Sequence, residues 1–107
     1  MTADIIFVIR NSRLHGSSVS ALRGELRKLV APGRKLVLHM AGVDSVDTKG
    51  AGAILEIARK LNQNGGSIRL VGLQKKVLAF FELLQLHRNI ELYGAQAETS
   101  TMTALAA

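Results

Sequence analysis

Apolar positions along the chain follow two rhythms. Short apolar runs over residues 5–9, 36–40 and 67–71 have the length and β-branched content of strands buried in a sheet. Between them the apolar residues recur at helical spacing. Over residues 17–30, Val19, Leu22, Leu26, Leu29 and Val30 share one stripe while Arg23, Glu25, Arg27 and Lys28 face away. Ser17 and Ser18 suit the start of that helix, and Pro32 with Gly33 stops it. After Thr48, the positions Ala51, Ile54, Leu55, Ala58 and Leu61 form a second stripe, which Asn64, Gly65 and Gly66 terminate. Residues 74–84 predict a third helix with Val77, Phe80, Phe81 and Leu84 inward, and residues 90–93 a short further strand. Residues 96–105 predict a last helix, rich in alanine and threonine.

Strands alternating with helices through short connections predict an α/β fold. The expected architecture is a mixed, mostly parallel sheet of about four strands with about four helices, in one domain over residues 1–107. In such a sheet the functional edge lies beyond the carboxyl ends of the strands, where Thr48 falls. A chain of 107 residues that is 48% apolar can build its own core without disulfides or metal.

Composition narrows the chemistry. There is no cysteine, which removes a disulfide framework, a thiolate metal site and a cysteine nucleophile. The start of the sequence has Asp4 and an arginine at Arg10 after five apolar residues, unlike a secretory leader, and no apolar run is long enough to span a bilayer, so a soluble cytoplasmic protein is expected. The formal charge of +6 comes from basic residues spread over most elements, among them Arg23, Arg27, Lys60 and Lys76. The aromatic residues, Phe7, Phe80, Phe81 and Tyr93, occupy core or strand positions and offer no stacking platform, so specific nucleic-acid binding is not expected.

Thr48 stands at the mouth of the second helix, which leaves two readings open. Its hydroxyl can cap the helix, worth about 1 kcal/mol. It can equally accept a modification, because unpaired N–H groups and the macrodipole favour added negative charge there. Asp47, a lone carboxylate, is better suited to fixing the loop than to acid–base catalysis. Gly50 and Gly52 lack the remaining glycines of a nucleotide fingerprint and are expected to allow close backbone approach. His15, His39 and His87 have no ligand spacing, so neither a metal nor a cofactor is expected. No nucleophile, base and orienting group share a motif, so the chain is not expected to be an enzyme. Phe80 and Phe81 are neighbours on one helix and cannot point the same way, which leaves Phe81 or Leu78 for a partner.

The segment 36–72 carries a family resemblance. Gly42, Val43, Val46, Asp47, Thr48 and Gly50 fill, one by one, the pattern L-x-G-V-x-x-[VI]-D-[ST]-x-G, and a helix opens at the hydroxyl residue. This resembles the STAS domain of bacterial anti-sigma factor antagonists. More weakly, Arg13-Leu14 with Val19-Ser20-Ala21-Leu22 resembles the entry to the first helix, and residues 86–90 the turn into the last strand. The resemblance implies a non-enzymatic binding module, monomeric or weakly dimeric, that binds an anti-sigma factor doubling as a serine/threonine kinase while Thr48 is unmodified. Asp44, Ser45, Asp47, Lys49 and Gly50 would form the switch loop and partner surface around Thr48. The same resemblance allows an alternative role, a STAS subunit of a lipid-trafficking ABC transporter complex. The sequence departs from the family at His15 and His39, which stand where acids are usual, and at Lys49, where many relatives have a small residue.

If the positive charge serves an acidic protein partner, salt should lower affinity mainly through the association rate, since exposed charges steer encounter. An unrelated DNA duplex should not be retained at physiological ionic strength. Tight retention with a log affinity falling linearly against log salt would instead mark counterion release from nucleic acid.

Overall fold

The computed structural model describes residues 4–95. Its strands are β1 (Ile5–Val8), β2 (Arg13–Leu14), β3 (Lys35–His39), β4 (Ser45–Val46), β5 (Ser67–Leu73) and β6 (Glu91–Gly94). Its helices are α1 (Ser17–Arg27), α2 (Thr48–Gln63) and α3 (Lys75–Leu83), with a 3₁₀ turn at Leu86–Arg88. The helix expected over 96–105 lies outside the described residues. One sheet has the order β1-β3-β5-β6, and β2 with β4 makes a second, two-stranded ladder. Every pairing among the described residues is parallel.

Because the four-stranded order advances one neighbour at a time, right-handed crossovers put α1, α2 and α3 on a single face of the sheet. Burial alternates accordingly. Leu36 and Leu38 of β3 and Ile68 and Leu70 of β5 are buried beneath the helices, in register with one another. Their neighbours Val37, His39, Arg69 and Val71 are only half-buried on the other face. The expectation of a buried strand over residues 5–9 is therefore corrected. Ile6 and Val8 of β1 are 70% and 51% exposed, because in the described residues no helix lies over that side.

The core joins the covered sheet face to the stripes of the helices: Val19, Leu22 and Leu26 from α1, Ala51, Ile54, Ile57, Ala58 and Leu61 from α2, and Val77 and Phe81 from α3. Helices α1 and α2 are also tied at their outer edge, where Glu56 accepts from Arg27 Nε at 2.8 Å and lies 3.5 Å from Arg23 Nε. These arginines hold the Glu56 carboxyl below its ordinary range, the Arg27 hydrogen bond first. Two expectations for α3 change. Phe81 is fully buried and cannot be the residue left for a partner, and Leu84, expected inward, is 39% exposed. The i, i+4 pair Val77 and Phe81 points at the core, which turns Phe80 to its margin.

Helix starts differ from the expected caps. Gly16, not a serine, is the N-cap of α1, which ends at Arg27; Leu29 and Val30 close it with i−3 bonds of 2.9 and 3.3 Å. At α2 the cap is Asp47, whose Oδ1 accepts from Gly50 N at 2.8 Å. Thr48 is the first helical residue and does not cap, so that reading of its hydroxyl is overturned. The Gly50 N–H, helped by the Gly16 N–H and the charges of His15 and Lys49, holds the Asp47 carboxyl below the usual range against the opposing effect of burial.

Backbone contact decides two glycines in opposite senses. Ser67 N donates to Arg34 O at 3.0 Å where β3 and β5 begin, and a Cβ on Gly66 would come 2.1 Å from that oxygen. Gly66→Ala should destabilise by about 1–3 kcal/mol in denaturant titration, because backbone must move. Gly52 lies inside α2 with nothing within 4 Å of an added Cβ. Gly52→Ala should stabilise by about 0.5–1 kcal/mol. A second test concerns pH. A carboxyl whose folded pKa is depressed stabilises fully above its unfolded value, about pH 3.9, and loses that contribution as pH falls through the folded value. Asp47→Asn keeps a capping oxygen but not the charge, so the gap in stability between wild type and variant should shrink in acid. Parallel pH profiles for the two would refute this.

Candidate functional site

The loop beyond β3 is held by its own backbone and by its neighbours. Val43 N bonds Met40 O at 3.0 Å, and Gln74 Nε2 donates to Ala41 O at 2.9 Å. The chain then pairs with the segment before α1: Asp44 N and Ser45 N reach Ser12 O at 2.8 and 3.3 Å, and Asp47 N reaches Leu14 O at 3.2 Å. This brings β2 beside β4 with Arg13 opposite Ser45 and Leu14 opposite Val46. Sequence periodicity could not reveal strands of two residues each, and nothing else in the sequence marks them.

Gly50 presses the first turn of α2 onto this ladder. A Cβ there would lie 2.8 Å from both Leu14 O and Val46 Cγ1, so the expected close approach holds for Gly50. It does not hold for Gly52, which faces open space. With the helix so seated and capped by Asp47, Thr48 and Lys49 are exposed, while Asp44, Ser45, Val46 and Asp47 are half-buried. The Thr48 hydroxyl has no hydrogen bond among the described residues. The N–H groups of Thr48 and Lys49 precede the first intrahelical donor, Ala51 N, and so have no acceptor within the helix. No acid lies in the first turn itself.

Of the two histidines, His15 joins this site. Its Nε2 lies 2.7 Å from Ser45 Oγ, with the donor set by the ring's tautomer. The His15 N–H donates to Ser18 Oγ at 3.1 Å, and the Ser18 hydroxyl lies 2.9 Å from His15 O and 3.1 Å from Arg13 O. Ser18 thus secures the loop ahead of α1. His39 is apart from it, in register with Val8 and Val71 on the open sheet face. Next to the loop is a shallow depression of about 180 Å³ lined by Asp44, Ser45, Val46, Lys76, Val77 and Phe80. Val46, Lys76, Val77 and Phe80 are lining residues that the sequence reading did not assign to the site. The pair of adjacent phenylalanines was the available signal, and of the two Phe80 lines the depression while Phe81 is buried. Leu78 sits elsewhere, close to Gly94 of β6. Among the described residues no three acidic, histidine or cysteine side chains are grouped to hold a metal ion. No described helix is long and apolar enough to cross a membrane.

No curated protein matches the sequence. Solved structures do match in fold. A Thermotoga maritima protein described as an anti-sigma factor antagonist superimposes with a TM-score of 0.71 at 18% identity, over 91% of this chain and 86% of that one. An anti-sigma-factor antagonist (STAS) domain protein from Planctomyces limnophilus gives 0.73 at 11% identity, over 95% and 90%. The murine anion transporter Solute Carrier 26 family member A9 gives 0.68 at 20% identity, over 94% of this chain but 18% of the transporter. The sequence profile of the STAS domain matches residues 2–99, which with the parallel sheet and the Asp47-Thr48 helix start shows that the chain belongs to the STAS domain family.

Proposed function

We propose that the chain is an anti-sigma factor antagonist, a cytoplasmic, non-enzymatic binding module whose partner is an anti-sigma factor with serine/threonine kinase activity. The supporting observation is Thr48: exposed, without a hydrogen-bonded hydroxyl, and at the amino terminus of a 16-residue helix. Phosphorylation would add about −1.5 to −2 charge and three acceptor oxygens. The N–H groups of Thr48 and Lys49, which lack acceptors within the helix, the helix dipole and the Lys49 ammonium can all stabilise that charge. Asp47 opposes it, so the phosphate is stabilised by turning away from the cap. The fold therefore tolerates both states of Thr48, while a partner surface matched to the neutral loop would have to desolvate a dianion.

The partner surface in this reading comprises Asp44, Ser45, Asp47, Thr48, Lys49 and the backbone at Gly50. It extends over the depression floored by Val77 with Lys76 and Phe80 at its rim. Phe80 takes the contact role expected of Phe81 or Leu78. A second reading, a STAS subunit docked on a membrane transporter, draws support from the fold shared with the Solute Carrier 26 member and with a sulfate transporter family protein from Wolinella succinogenes.

Because Asp47 provides the cap, Thr48→Ala should change stability by no more than about 0.5 kcal/mol, retain partner binding and resist phosphorylation. Thr48→Glu should fold, since an acid is favoured in the first helical turn, but capture far less of the kinase from a native lysate. Mass spectrometry of the captured proteins and of Thr48 decides between the readings. A transporter ATPase in place of a kinase selects the second, and equal capture by wild type and Thr48→Glu rejects the switch.

A further inference from the structure

The outer edge of β1 is a four-residue strand edge left open among the described residues. β1 pairs with β3 on one side and with no described strand on the other. The pairing with β3 runs in register without a bulge, and Ile9 N extends it by donating to His39 O at 3.0 Å. Backbone groups alternate sides along a strand, so those of Ile5, Phe7 and Ile9 face β3 while those of Ile6 and Val8 face the free edge. Natural edges are blunted by shortness, charge, proline or a bulge. β1 is short, but residues 5–9 contain no charge, proline or bulge, and Ile6 and Val8 are 70% and 51% exposed. A groove of about 540 Å³ follows this edge, between β1 and the Leu22 and Glu25 side of α1.

The sequence of this edge is complementary to itself. Asp-Ile-Ile-Phe-Val-Ile-Arg, residues 4–10, is apolar from Ile5 to Ile9 and carries opposite charges at its two ends. Set antiparallel to a second copy with Phe7 opposite Phe7, it places Ile6 opposite Val8 and Asp4 opposite Arg10, twice over by symmetry. The register also fits the backbone. Ile6 and Val8, whose N–H and C=O groups point outward, become hydrogen-bonded pairs, and Phe7 falls at the non-hydrogen-bonded position on the two-fold axis. Asp4 and Arg10 are both exposed and lie on the same face as Ile6 and Val8.

We infer that the chain forms a symmetric dimer through antiparallel pairing of β1 with the β1 of a second copy, joining the two sheets into one. Main-chain bonds supply the affinity, the Ile6–Val8 contacts cover the exposed apolar pair, and the Asp4–Arg10 pairs set the register. The two-fold axis is perpendicular to the sheet, so both helical layers lie on one side and the two Thr48 loops sit at opposite ends, each open to its own partner.

Sedimentation of the full chain over a concentration series should show a dimer. Ile6→Lys, at a position exposed enough to leave the fold intact by circular dichroism, should raise its dissociation constant by at least about tenfold. Asp4→Lys and Arg10→Glu should each weaken self-association, and an equimolar mixture of the two should restore it as a heterodimer. The absence of native cysteine allows a register test. Residues in a hydrogen-bonded pair stand about 5.5 Å apart at Cα, within disulfide reach, whereas Ile6 and its symmetry mate are diagonal neighbours beyond it. Under oxidation Ile6→Cys mixed with Val8→Cys should crosslink, and either variant alone should not. A monomer up to about 1 mM, a dimer indifferent to Ile6→Lys, or crosslinking without this pattern would overturn the inference.

Discussion

The arrangement of the loop that presents Thr48 depends on one close contact, the seating of the first turn of α2 on the β2–β4 ladder at Gly50. A side chain of any size at that position would meet the Leu14 carbonyl and the Val46 side chain. With hydrogen there instead, the helix start comes near enough for Asp47 to bond Leu14 through its N–H and to cap Gly50 through its carboxylate. Both anchors belong to the residue before Thr48. The Thr48 hydroxyl is thereby fixed in place with no hydrogen bond of its own, so the modification proposed for it would leave intact the contacts that present it.

Much of this was legible in the sequence, for identifiable physical reasons. Helical spacing over α1, α2 and α3 and the apolar runs at β1, β3 and β5 announce the alternation of elements, since amphipathic burial writes a period into the chain. The Gly42, Val43, Val46, Asp47, Thr48, Gly50 pattern placed the helix start correctly. Other features escaped. An apolar run such as Ile6 to Val8 does not say whether one face or two are covered, because that depends on the order of the strands and the side taken by each crossover. The β2–β4 ladder is built from backbone bonds between distant segments, which leave no periodicity. Asp47 and Thr48 are both good capping residues, and only the backbone at 47 shows which one caps.

The positive balance of the chain is arranged unevenly with respect to the fold. Glu56 engages Arg23 and Arg27 together and ties α1 to α2, and Arg69 lies 3.8 Å from Glu91 across β5 and β6 on the open face. Near the Thr48 loop the charges alternate in kind, with Asp44 and Asp47 set among His15, Lys49 and Lys76. A partner meeting that loop finds a mixed pattern that fixes orientation, while the net charge of +6 acts at longer range on the rate of encounter.

The β2–β4 ladder also bears on how the molecule acquires its site. It joins Arg13 and Leu14 to Ser45 and Val46, segments roughly thirty residues apart with α1 and β3 between them. Loop-closure entropy must be overcome for those bonds to form, so the ladder depends on the chain between them, α1 and β3, being folded back. A nascent or partly opened chain carries Thr48 but not the surroundings that Gly50, Leu14 and Asp47 give it. A protein that recognised the shape of this loop, as the proposed partner would, would therefore recognise only the finished fold.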